Sequence, residues 1–252
     1  MIVAAAPSEP VGPAVMVKSY RSALVDGDFG FSTSLGNISV GQVRGTARIE
    51  TRAGEVELGI VLGNCTVTSF GGPLNLGDIA GILNARTSAG DVLINTARSG
   101  GFAATNGGMI RVLHAAGAMT LRSGGGDIVV RTASAPINAE TRSGDVTITI
   151  DPQLRRNAIF AKTSQGSVTL NVSPSFAADI DATLLTTEND PAVFRSDFNG
   201  LSIRRDQVGK KTRIRATGKV NGGGDRVEIY AEDGSIRITG DSRQPLISPA
   251  QP

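Results

Sequence analysis

Tryptophan is absent from this chain, cysteine and histidine occur once each, and aromatic residues make up only 4% of it. Each scarcity excludes something. With Cys65 alone, no intramolecular disulfide forms and no cysteine-rich metal site exists; in its alternating run the residue reads as a small buried side chain. Few aromatics remove the stacking platforms of single-strand nucleic-acid binders. Lysine and arginine number 25 against 23 acids, a net charge of +2, which lacks the clustered excess that phosphate binding needs. No nucleic-acid partner is expected. No apolar run reaches the length of a membrane span. Met1 to Ala6 carries no basic residue ahead of its apolar patch, so no leader is visible there. The residues leave two locations open, a cytoplasmic one and an exported one, cell envelope or secreted.

What is present is a recurring phrase: Thr or Ser, two loose positions, Gly, a small polar residue, then alternating aliphatics. It reads Thr51 to Leu58, Thr87 to Ile94, Thr141 to Ile148 and Thr163 to Leu170, with weaker copies at Ser34, Thr68, Thr105 and Ser123. Gly36, Gly54, Gly71, Gly90, Gly108, Gly126 and Gly144 recur about every eighteen residues, and a fixed period of this length marks a stacked-repeat architecture. A second marker, at Gly45, Gly63, Gly81, Gly100 and Gly117 and then Pro136, places two turns and two short strands in each step. One coil cannot hide its inward Val, Ile, Leu and Ala, but stacking the next at about 4.8 Å closes a continuous core. The expected fold is therefore all-β, a single β-solenoid of about eight coils between Ser32 and Val172, with glycine supplying positive φ at the corners.

Proline-rich residues 1–13 and 244–252 read as flexible tails around a solenoid domain at 14–243. Ser173-Pro174-Ser175 breaks the rhythm and Glu188 to Pro191 reads as a turn, so 173–212 is expected to be an irregular insertion covering a core edge. Residues 213–240 read as closing coils.

The Thr-x-Ser-Gly-Asp-Val phrase at 141–146, repeated along the chain, resembles that of a bacterial adhesin-like family, a domain of unknown function with a β-solenoid fold. So does the ending, in which Ser196-Asp197-Phe198 precedes the triple glycine Gly222 to Gly224 and then Glu232 to Ile238. The resemblance covers residues 28 to 240. It implies adhesion or envelope-associated scaffolding and brings no catalytic residues with it.

The residues themselves offer few constellations. His114 lies 49 positions from Cys65, nearly three coils and so no nearer than about 14 Å, which argues against a shared catalytic device. Glu55, Asp91, Asp127 and Asp145 follow corner glycines and read as turn-forming acids, the alternative being a calcium or sugar site. Arg52, Arg86, Arg98, Arg122, Arg131 and Arg142 recur near those turns and could pair across coils or hold an acidic glycan or phospholipid headgroup. The triple-glycine runs precede no helix and no Lys-Ser, so they read as tight turns and not phosphate cradles. No catalytic, cofactor or metal residue is assigned, and the chain is expected not to be an enzyme. The reading is a non-catalytic adhesin-like or scaffolding module of the bacterial envelope, with room for a protein or glycan partner and for self-association. The alternatives are a bactofilin-like self-polymerising protein and, less favoured, a carbohydrate-active β-helix enzyme.

Overall fold

The computed structural model describes residues 19–187 and 193–240. Both proline-bearing tails and the Glu188 to Pro191 turn lie outside the described residues.

Period-two alternation becomes strands in which every second side chain points inward: in Ala47–Thr51 the residues Ala47, Ile49 and Thr51 are buried and Arg48 and Glu50 are exposed. In chain order the strands are β1 (Ser19–Val25), β2 (Phe29–Thr33), β3 (Asn37–Val43), β4 (Ala47–Thr51), β5 (Val56–Val61), β6 (Cys65–Ser69), β7 (Leu74–Ile79), β8 (Leu83–Thr87), β9 (Val92–Ala97), β10 (Gly101–Thr105), β11 (Ile110–Ala115), β12 (Met119–Ser123), β13 (Ile128–Ala133), β14 (Ile137–Ser143), β15 (Val146–Ile150), β16 (Ile159–Gln165) and β17 (Val168–Asn171). Odd strands stack in parallel into one sheet and even strands into a second. Each rung of the solenoid is one strand from each sheet. Partners such as Ile38 and Val56, or Ala47 and Cys65, are eighteen residues apart. One step is longer: Ile137 pairs with Ile159, because residues 151–158 form an extra loop between β15 and β16.

Between the sheets runs one aliphatic core from Phe29 to Ile238, with Val56, Leu74, Val92, Ile110, Ile128 and Val146 forming one of its buried columns. Each such side chain contributes ~1.5–3 kcal/mol by leaving water, and none is hidden until its neighbouring rungs are in place. At the N-terminal end Tyr20, Phe29 and Phe31 pack with ring centroids 4.9 to 6.0 Å apart over the first rung.

The other end departs from chain order. The remaining strands are β18 (Ala178–Thr186), β19 (Phe194–Ser196), β20 (Ser202–Val208), β21 (Lys211–Val220), β22 (Asp225–Glu232) and β23 (Ile236–Thr239). β22 lies between β16 and β18, and β23 between β17 and β19. The last coil of the chain is thus intercalated, 68 residues removed from its partners on β16 and β17. Of the residues that the sequence suggests close the stack, 213–240, only β21 stands in the outer layers, paired with β20; β22 and β23 lie further in, covered by β18 and β19. The presumed insertion contributes regular strands, because the inward residues of nine-residue β18 complete the core over the intercalated coil.

Candidate functional site

The corner residues of the repeated phrase come first, since they are the most frequent polar groups near the core. Thr33, Thr51, Ser69, Thr87, Thr105, Ser123, Thr141 and Thr163 are all buried, in one column. From the fourth rung onward each hydroxyl donates to the corner glycine carbonyl of the preceding rung: Thr87 to Gly72 at 3.0 Å, Thr105 to Gly90 at 2.9 Å, Ser123 to Gly108 at 2.8 Å and Thr141 to Gly126 at 2.9 Å. Several also accept from the glycine N–H of their own turn, as Ser123 does from Gly126 at 2.9 Å. The phrase needs Thr or Ser because a buried corner carbonyl and a buried N–H must both be satisfied.

Glycine is required there chiefly by crowding. A Cβ on Gly126 would sit 2.2 Å from the Gly108 carbonyl oxygen, and one on Gly90 2.3 Å from that of Gly72. Only some corners, such as Gly54 at φ 112°, have the positive φ expected throughout. The register also corrects one position: Gly72 and not Gly71 stands in the corner column, and Pro73 occupies the place of the acids.

The aspartates of the acid column serve the backbone, whereas Glu55 accepts from the side-chain amide of Asn75. Asp91 accepts from the N–H of Met109 at 2.9 Å, Asp127 from Asp145 at 2.8 Å and Asp145 from Ser167 at 2.8 Å, so each carboxylate binds the equivalent residue of the next rung. Asn37 does the same for Glu55 at 3.0 Å. Among the described residues no group of three or more His, Cys, Asp or Glu could hold a metal ion. Cys65 lies on β6 and half-buried His114 on β11, in opposite sheets and three rungs apart. Cys65 is fully buried, and loss of hydration pushes its thiol up to about 12.

The arginine row divides. Arg98 approaches Asp78 at 3.9 Å at the edge of the first sheet, and Arg131 faces outward on that sheet's β13. Arg86 and Arg122 instead share one outward column of the second sheet, which reads Arg86, Ala104, Arg122, Glu140, Lys162 and Tyr230 over successive rungs. Two positions along each strand a parallel column reads Phe102, Thr120, Asn138 and Phe160. Arg86 stacks on the Phe102 ring, 4.3 Å from its centroid; Arg122 lies 3.8 Å from Glu140; Lys162 lies 5.5 Å from the Tyr230 ring. A hollow of about 230 Å³ is bounded by Arg122, Glu140, Arg142 and Lys162. Beside it a groove of about 330 Å³ is lined by Met119, Asn138, Ile159, Phe160, Arg226 and Glu228. The buried Oδ1 of Asn138 has no hydrogen-bond partner.

Lys162 and Phe160 escape sequence reasoning because the 22-residue step before β16 breaks the count: eighteen residues past Glu140 is Ala158, whereas Lys162 is its neighbour; Asn138 keeps the count from Thr120 but reads as one more outward polar residue. The signal that finds them is the inserted loop itself, recognised from Asp151-Pro152-Gln153 between two intact phrases.

No curated protein and no solved structure matches the chain. A family profile does, and it spans residues 19–239, from the first strand to the end of the last. With that span covering the whole described solenoid, the chain belongs to the Toastrack DUF4097 family.

Proposed function

We propose that the protein is a non-catalytic module of the bacterial cell envelope, adhesin-like in that it presents a rigid repeat surface to partners. The observation that carries the reading is the use to which the polar residues are put. The corner hydroxyls are spent on the corner carbonyls of the preceding rung, and the corner aspartates on backbone N–H groups of the next. The sole cysteine and sole histidine lie in opposite sheets. What stays outward is a flat β face of alternating cations, aromatics and amides, which suits recognition. A general acid, base or nucleophile must meet its partner within hydrogen-bond reach, and the sole His and Cys do not meet.

Cell fractionation with external protease tests location: a protein recovered in the envelope and cleaved from outside is expected, and one confined to the cytosol would overturn that part. Incubation with a panel of polysaccharides and assay of new reducing ends tests the absence of catalysis, for which no turnover is expected.

The second reading, bactofilin-like polymerisation, draws support from the first rung, where among the described residues β1 and β2 each have one paired side and Tyr20 is partly exposed. Against head-to-tail growth stands the opposite end, where all seven residues of β20 are exposed and Arg204, Arg205 and Lys210 crowd the hairpin. Electron microscopy of the purified full chain separates the readings: dispersed particles are expected, and filaments at modest salt would favour the polymer.

A further inference from the structure

We propose that the outer face of the second sheet, from β8 to β16, is a binding site for a linear acidic polysaccharide, with carboxylates on Arg122, Arg142 and Lys162 and sugar hydroxyls in the Asn138–Phe160 groove. The proposal deepens the reading of the chain as an interaction module and rests on it.

The charges are arranged for a polymer. Arg86, Arg122 and Lys162 recur at every second rung of one column, about 10 Å apart at the strand spacing of a sheet. A rigid sheet holds that interval without an ordering cost. Arg142 stands one strand position beyond buried Thr141, is exposed, and makes no ion pair among the described residues, and Glu140 is the single acid in the hollow beside it. A ligand with regularly repeating negative charge matches this comb.

The groove decides which polyanion. Asn138 lines the groove while its Oδ1, turned inward, is buried and unpartnered; a buried acceptor left unpaired is costly, so a rotation of the amide that brings this oxygen to a donor in the groove is favoured. A sugar hydroxyl supplies one; a polyphosphate chain does not. Phe160 lines the same groove and offers an apolar face to a sugar ring. A membrane surface fits less well, because it rewards cations and protruding apolar side chains in one place. Among the described residues the most exposed large apolar side chains lie away from this hollow, Leu35, Leu62, Phe70 and Ile82 in the first four rungs and Ile203 on β20 of the closing hairpin.

The test is titration of the full chain with polygalacturonate by calorimetry, beside its methyl-esterified form, inorganic polyphosphate and phosphatidylglycerol vesicles. Polygalacturonate is expected to bind with an affinity that falls as salt rises, and the esterified polymer at least about tenfold more weakly. Arg122→Gln and Lys162→Gln should each weaken binding about two- to fivefold, and the triple variant with Arg142→Gln should lose it. Asn138→Val should weaken binding while leaving its salt dependence unchanged, which no merely electrostatic surface would show. Arg131→Gln, on the other sheet, should change nothing. Polyphosphate binding as tightly as polygalacturonate, vesicle binding abolished by the same triple variant, or indifference to all these substitutions would overturn the site. Absence of binding would sink this site and leave the module reading standing; release of reducing ends would sink the non-catalytic reading and leave the site.

Discussion

The body of the solenoid, Asn37 to Ile150, and its closing region, Val172 to Gly240, solve the same problem in different ways. In the body each rung pairs with the next one in the chain, so a core residue meets its equivalent eighteen positions away, as Ile38 meets Val56, or twenty-two positions away across the loop at 151–158. In the closing region the partners are 68 residues apart, the last coil lies between two rungs that precede it in sequence, and an antiparallel hairpin seals the outside. A repeat is stabilised by nearest-neighbour contacts and is tolerant of length. An end must stop growing, and it does so by abandoning the repeat.

The sharpest way to break this contrast is at a body corner. Gly126→Ala drives a Cβ to 2.2 Å from the Gly108 carbonyl oxygen, and overpacking against backbone should cost about 3 kcal/mol or more by thermal or denaturant unfolding. Gly30→Ala, with nothing within 4 Å, should leave stability nearly unchanged. Next in size, Ile236→Ala in the intercalated coil, where Ile236 is 1% exposed, should cost ~2–5 kcal/mol. Its signature is spatial: hydrogen exchange should accelerate in β18, β19 and β21 as well, whereas the equivalent change at Ile38 in the body should leave those strands protected.

Ser123→Ala removes the donor to Gly108 and the acceptor for Gly126, for an expected loss of ~1–3 kcal/mol, measurable by chemical denaturation. Cys65 sharpens the same point through pH. Its folded-state pKa is raised from 9.0 to about 12, so the protonated thiol's contribution is complete below pH 9 and lost as pH climbs towards 12. Relative to Cys65→Ala, the parent should lose about 1.4 kcal/mol per pH unit across that window, and the native thiol should resist Ellman's reagent at pH 8. The smallest effect lies in the cap. The Arg215 guanidinium, donating to Asp181 at 3.0 and 2.8 Å, holds that carboxyl below its ordinary 3.8. Its stabilisation is present above that value and fades as pH falls through the lowered one. Asp181→Asn should therefore differ slightly from the parent at neutral pH and not at all in strong acid, read from melting temperatures.

Legibility follows the same division. The phrase at Thr87 to Ile94 reveals its rung because period and alternation are local, and the buried Thr, corner Gly and capping Asp follow from that one register. The order of β22 and β18 is not legible, because Val227 and Ile180 are equally good strand residues and nothing near either names its neighbour. The comb of Arg86, Arg122 and Lys162 is half legible: the first two fall on the eighteen-residue count, and the loop at 151–158 hides the third.

By itself the sequence determined that this chain winds as a two-strand solenoid, for inward aliphatics at a fixed period have no other place to hide. Only the tertiary structure decided which coil lies beside which at the far end, and which cations gather on one face. Those choices depend on contacts between residues far apart in the chain, where local pattern carries no information about the partner.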